Sequence, residues 1–284
     1  MLSLHTNNAA LSAQNSINRT QGSLSTSMTR LSTGYRINSS MDDAAGLQIA
    51  TRLKAQTSGM AVAMRNTQNS TSMLQTAEGA LDEVSNMVVR MKDLATQAAD
   101  ASSTAADKTA MQSEYDALGK ELSNVMNNTT FGGAKLLVGG TIASAMTFQI
   151  GSSTSEQMTV NLATDVTALD TAITATSGTY TVPGTPGTEL TTTANATIDL
   201  LATALASIGT VRSALGASAN RLEHVYNNLS NISTNSKAAT GRIMDVDFAS
   251  ESSKMTTSQM LLQAGTAMLK QSNSMSSMVM SLLQ

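Results

Sequence analysis

The sequence predicts a mainly α protein, an elongated antiparallel helical coiled-coil bundle with a small β-hairpin region at its turning point. Three observations carry that expectation. Aromatic residues are 2% of the 284 positions, with no Trp, while 41% are hydrophobic. A core short of large rings must be filled by Ala, Leu and the 19 Met residues, whose unbranched thioethers suit irregular helix interfaces. Apolar residues recur at helical spacing over both halves of the chain, and one central stretch switches to strict alternation.

The first helix places Leu24, Met28, Leu31 and Tyr35 at i, i+4, i+7 and i+11, with Leu4 and Leu11 one heptad apart before them. It ends where Gly, Asn and Ser cluster from Gly34 to Ser40. A second helix is expected to start at Ser40. Asp43 completes a Ser-x-x-Asp arrangement close to a capping box, and Asp42 adds negative charge near the positive helix end. Capping explains this acidic pair without a metal or acid–base site.

Along the same helix Leu74, Ala77, Leu81, Val84, Val88, Met91, Ala95 and Ala98 form a regular stripe whose small residues imply a close partner. After a Ser/Thr/Ala break at 101–106, Met111, Tyr115, Leu118, Leu122 and Val125 mark a third helix, which leaves through the turn-rich Asn127–Gly133. Met146–Ile150 and Met158–Leu162 alternate apolar and polar residues around Gly151–Ser155, a β-hairpin pattern. Ser177–Thr193 holds both prolines, Pro183 and Pro186, and reads as an exposed loop or a short second hairpin. Helix resumes near Ala194 with Leu201, Ile208, Leu215, Leu222 and Leu229 at one heptad position and Val211, Val225 and Ile232 at another.

The C-terminal stretch repeats Leu261, Met268, Met275 and Leu282 every seventh residue. A lone chain does not easily bury such a stripe, so this end is expected to bind another helix. Folding back about the β region would set the 201–232 helix against the 74–98 and 111–125 helices. Leu4–Tyr35 is then left to pair with Leu261–Leu282, and a larger assembly must cover the outer faces of that pair.

A net charge of −3 and only 13% charged residues give no basic surface for nucleic acid. Cys is absent, which removes disulfides and thiolate metal sites. Met1–His5 lacks the basic and apolar regions of a cleaved signal, and no uninterrupted apolar run is long enough to span a bilayer. His5 and His224 are distant in sequence, Gly132-Gly133 is not followed by the lysine and hydroxyl of a phosphate loop, and no His-Glu-x-x-His occurs. Catalysis, metal binding and cofactors are therefore not expected. A chemoreceptor signalling hairpin would share the Ala-, Ser- and Met-rich heptads but not the β region.

Several blocks, in order, resemble bacterial flagellin. Thr29–Leu47, TRLSTGYRINSSMDDAAGL, is similar to the family's N-terminal signature. Arg90–Ala99, RMKDLATQAA, and Asn128–Leu137, NTTFGGAKLL, resemble two further blocks. Ser218–Leu222, Gly241–Ala249 and the stretch from Gln263-Ala264-Gly265 to Ser281-Leu282-Leu283-Gln284 complete the pattern. The resemblance covers both halves and fails only in the middle, where it implies a short flagellin of lateral or secondary type.

The resemblance implies a structural subunit of the helical flagellar filament, exported unfolded through a type III apparatus and ordered at its ends on assembly. The alternative it leaves is a hook-associated junction protein. Implied partners are further copies of the chain, the export apparatus with an export chaperone, and the filament cap and hook-junction proteins. The implied organisation is a terminal coiled coil of 1–42 with 244–284 lining an inner tube, a helical shell of 43–176 with 194–243, and a short variable surface loop at 177–193. The expected assembly interface comprises Leu4, Leu11, Leu24, Met28, Leu31, Leu261, Met268, Met275 and Leu282. Arg90, Leu94, Gln97 and Glu114 match the surface read by the animal Toll-like receptor for flagellin, with Val89, Lys92 and Thr96 departing from the commoner residues there. Leu282 and Leu283 match the part sensed inside host cells.

Overall fold

The computed structural model describes residues 7–182 and 185–282, with backbone alone at 276, 277 and 279–282. Its elements are α1 (Asn8–Thr33), α2 (Ala44–Ala99), α3 (Ala105–Asn128), β1 (Thr130–Phe131), β2 (Ala134–Lys135), β3 (Ala145–Gln149), β4 (Gln157–Asn161), α4 (Ala163–Thr176), α5 (Gly178–Thr181), α6 (Glu189–Thr192), α7 (Ala194–Met244) and α8 (Phe248–Leu282). The chain is mainly α, and among the described residues the strands form two small antiparallel pairs. It divides into one unit of 1–57 with 234–284 and a second of 58–233. The boundaries fall inside α2 and α7.

Local sequence chemistry sets the helix ends. α1 stops at Gly34, whose φ of 75° is the left-handed conformation that glycine adopts without penalty, and its N–H donates to the Arg30 carbonyl. α2 starts at Ala44 rather than at Ser40. Asp43 is its cap, accepting from the Gly46 N–H at 2.8 Å. Asp42 instead closes the preceding loop, accepting from the Asn38 and Ser39 N–H groups at 3.0 and 2.9 Å. Those backbone bonds hold its carboxyl below the usual aspartate range. A full capping box between Thr104 and Asp107 begins α3. Thr104-x-x-Asp107 was readable in the sequence as the mark of that start.

In the second unit, every stripe residue from Leu74 to Ala98 is buried. They share one core with Met111, Tyr115 and Leu122 of α3 and with Leu201, Ile208, Val211, Leu215 and Leu222 of α7. Arg212 bridges α7 to Glu78 and Asp82 of α2, at 3.6 and 3.0 Å. Near the far end of these helices Leu229 packs on Met60 and Ala63, with Val225 partly buried beside them and Ile232 exposed. α7 contains an 18-residue window of mean hydropathy 1.4, enough by composition to cross a membrane. The run is not uninterrupted, since Thr203, Ser207, Gly209 and Thr210 break it, and Ala lifts the average between the large residues. The burial of its heptad positions and the Arg212 pairs mark α7 as a core helix.

β3 and β4 form the expected hairpin, with Met146 opposite Val160 and Phe148 opposite Met158 on the face turned to the core. Two features were not expected. β1 and β2 make a minimal hairpin across Gly132-Gly133, both at positive φ (58° and 86°), as a tight turn of this kind demands. α4 then follows β4, burying Val166, Leu169 and Ile173.

The described residues of the 177–193 stretch make two single helical turns, α5 and α6, rather than a hairpin, and bury Thr179, Tyr180 and Leu190 while most of the others stay exposed. Pro183 lies outside the described residues. Gln112 of α3 holds it, accepting from the Leu190 N–H at 2.7 Å and donating to Glu189 and Asp116 at 2.8 Å each. Asp116 in turn accepts from the Thr179 hydroxyl and the Gly187 N–H. Gly119 permits the approach, since a Cβ there would lie 2.7 Å from Ser177 Oγ. α3 side chains thus satisfy the Gly187 and Leu190 N–H groups of this polar segment, which hydrophobic patterning does not register.

Candidate functional site

The first unit is built on an antiparallel pairing of α1 and α8. Asn7 donates to the Ser272 carbonyl at 3.2 Å, Ser27 donates to Glu251 at 2.7 Å, and Tyr35 bridges Asp245. In α1, Thr20, Ser23, Thr26, Thr29 and Thr33 each donate to the carbonyl four residues back, which satisfies their hydroxyls without helping the helix, so α1 depends on its packing against α8. Glu251 is buried, 4% exposed, beneath the Ser27 hydroxyl, with Lys254 and Arg30 close by. The Ser27 hydrogen bond foremost, then the two cations, holds its carboxyl below the usual glutamate range.

The stripe α8 turns to α1 is Glu251, Met255, Ser258, Leu262, Gly265, Leu269 and Ser272, all buried or half-buried. On α1 the matching stripe is Ala13, Ile17, Thr20, Leu24, Ser27 and Leu31. Both alternate three- and four-residue steps, the spacing of a coiled-coil seam. The helices come close at Gly265, where a Cβ would stand 2.9 Å from Ile17 Cγ1.

This corrects the expected register. Leu261 and Met268 sit one residue before members of the inward stripe, and they and Met275 lie on the exposed side, at 57%, 67% and 56% exposure. Leu11 and Met28 likewise face outward, at 51% and 55%, whereas Leu24 and Leu31 belong to the seam within the chain. The reason is chemical: the inward stripe interleaves its large residues with Ser, Gly and Thr, so it breaks the apolar heptad, while Leu261, Met268 and Met275 keep an unbroken seven-residue repeat on the exposed side. Leu4 and Leu283 lie outside the described residues, as does the side chain of Leu282. What the described residues offer is a helix pair with a closed seam and an apolar, Met-rich outer face.

On the second unit Arg90 donates to Glu114 at 2.6 Å in an exposed ion pair, and Gln97 is exposed. Leu94 is 3% exposed and part of the core, so it does not stand beside Arg90 as a surface anchor. At i, i+4 the two share a side of the helix, but Leu94 belongs to the core cluster. His224 is exposed on α7, remote in sequence from other His or Cys.

Comparison with known proteins decides the family. Residues 4–141 match the bacterial flagellin N-terminal helical region, and residues 198–283 match the bacterial flagellin C-terminal helical region. Flagellin A of Vibrio anguillarum is 33% identical over 379 aligned positions, covering 100% of both chains. The chain belongs to the bacterial flagellin family.

A flagellin of Halalkalibacterium halodurans is 38% identical over 271 residues, 94% of each chain. A solved structure from Vibrio parahaemolyticus, described as a flagellar hook-associated protein, aligns with a TM-score of 0.56 over 72% of this chain and all of that one. At 18% identity that likeness speaks for the fold alone. As a flagellin, the chain is a structural subunit of the flagellar filament. The stretch between the two family regions, 142–197, holds the β3–β4 hairpin, α4 and the pinned α5–α6 segment of this flagellin.

Proposed function

We propose that copies of this flagellin assemble into the filament through the outward faces of α1 and α8, with Leu11, Met28, Leu261, Met268 and Met275 buried by neighbouring copies. Leu4 and Leu282 extend the same heptad spacing toward the chain ends. The observation that carries this reading is the exposure of Leu261, Met268 and Met275, 57%, 67% and 56%, on the side of α8 away from the stripe that meets α1. Large apolar residues exposed in a repeating pattern fit an interaction site, and head-to-tail contacts that do not close generate helical polymers.

In this reading the 1–42 and 244–284 segments form the inner tube, and 43–176 with 194–243 form the shell around it. The chain leaves the cell unfolded through the flagellar export apparatus with its chaperone and takes its place outside, beneath the filament cap and beyond the hook-junction proteins. The ends complete their folding when neighbours supply apolar surface, which is coupled folding and binding. A host Toll-like receptor reads Arg90, Gln97 and Glu114, with Leu94 contributing by shaping the helix beneath them. Leu282 and Leu283 supply the contact for sensing inside host cells. The protein acts by assembly, without catalysis or a cofactor.

Salt-induced assembly of purified protein, viewed by negative-stain microscopy, tests the reading. Long filaments are expected from the wild type and none from Leu261→Asp with Met268→Asp, while circular dichroism still reports the helices of the second unit. Normal filaments from that double variant would remove the outer face of α8 from the interface.

A further inference from the structure

The exposed side of α8 carries thioethers. Leu262 and Leu269 belong to the half-buried stripe toward α1, while Met268 and Met275 stand in the open at 67% and 56% exposure. Pairing with α1 leaves both sulfurs accessible, so protection must come from a neighbouring copy. Peroxide or hypohalous acid oxidises exposed methionine to a polar sulfoxide, which disrupts Met-rich interfaces.

We infer that Met268 and Met275 are reversible oxidation sites, and that sulfoxide at these positions in the unassembled chain blocks its entry into the filament, whereas assembly shields the same sulfurs. This rests on the assembly surface assigned above. With hydrogen peroxide, the thioether lone pair attacks one peroxide oxygen and an S–O bond forms as the O–O bond breaks. The departing hydroxide takes the proton of the transferred oxygen and leaves as water. Sulfur loses two electrons and the peroxide gains them. The S=O group is then a strong acceptor in an apolar contact, and burying it without a donor opposes association.

The test treats unassembled protein and finished filaments with hydrogen peroxide, follows sulfoxide at each methionine by peptide mass spectrometry, and measures the critical concentration for assembly by sedimentation. Sulfoxide at Met268 and Met275 is expected in the unassembled chain and not in filaments. The critical concentration of the oxidised protein should rise by about tenfold or more. Reductases for both sulfoxide epimers should restore it. Met268→Leu with Met275→Leu, compared with its own untreated critical concentration whatever that value is, should change by less than about twofold after the same exposure, since Leu carries no sulfur to oxidise. Wild-type protein carrying both sulfoxides yet assembling at its unoxidised concentration would overturn the inference. So would a Leu double variant inhibited as strongly as the wild type, or equal oxidation of the two residues in filaments. Met268→Glu with Met275→Glu separates the two readings: normal assembly of that variant defeats the assembly surface itself, while its failure beside an unimpaired sulfoxide chain defeats only the oxidation sites.

Discussion

Ser27 Oγ donates to Glu251 Oε1 at 2.7 Å across the α1–α8 seam, 224 residues apart in sequence. This bond places a carboxylate inside a helix interface that otherwise joins Ile17, Leu24 and Leu31 to Met255, Leu262 and Leu269. It ties the register of the two ends of the chain to one protonation state.

Acid should loosen that pairing. The folded carboxyl of Glu251 lies below its ordinary value of 4.5, so the stability it contributes is present above that value and is lost as pH falls through the lower folded value. Thermal unfolding followed by circular dichroism from about pH 7 to about pH 3 should show this loss, with a shallower dependence in Ser27→Ala. At neutral pH Ser27→Ala should cost about 1–3 kcal/mol, because Glu251 stays buried without its donor. Identical pH profiles for the two proteins would separate Glu251 from the acid response.

Gly265 is required by close approach rather than by backbone conformation. Gly265→Leu should destabilise the α1–α8 pairing by about 1–3 kcal/mol through overpacking against Ile17. Ile17→Ala combined with Gly265→Ala should recover stability relative to the sum of the single changes. The coupling energy from a double-mutant cycle of melting curves measures it, and additivity would show that the two residues do not meet.

Gln112 pins the 177–193 segment to α3 with both ends of its amide. Gln112→Ala should leave the Leu190 N–H and the Glu189 carboxylate short of partners and cost about 1–3 kcal/mol. Hydrogen exchange should rise across α5 and α6 while the Leu74–Ala98 stripe stays protected. Unchanged exchange at α6 would mean that apolar contacts of Tyr180 and Leu190 suffice.

Arg90 and Glu114 expose 55% and 47% of their side chains, so their ion pair contributes little to stability. Arg90→Ala should change the unfolding free energy by less than about 1 kcal/mol. If the receptor reads this surface, the same variant loses receptor signalling while melting and assembling like the wild type. Leu94→Ala, in contrast, should destabilise the second unit by about 2–5 kcal/mol because Leu94 lies in the core.

The stripes of α2 and α7 were legible because large apolar residues recur there and face a core within the same chain. Leu74, Leu81, Leu201, Ile208 and Leu215 are all buried as their spacing required. The end of α1 at Gly34 and the β3–β4 hairpin followed from equally local rules. The 177–193 segment was not legible, since its order comes from Gln112 and Asp116 side chains distant in sequence. Leu94 was misread as a surface residue because a family block gives residue types but not burial.

The sequence by itself determined the long helices, the β3–β4 hairpin, the family and the presence of an apolar stripe reaching toward the C-terminus. Only the tertiary structure decided which way that stripe faces. Hydrophobic periodicity weights large residues, so it traced Leu261, Met268 and Met275. The seam with α1 instead interleaves Met255, Leu262 and Leu269 with residues small enough for two backbones to approach, Ser258, Gly265 and Ser272, and smallness has meaning only when the partner at Ile17 is in place.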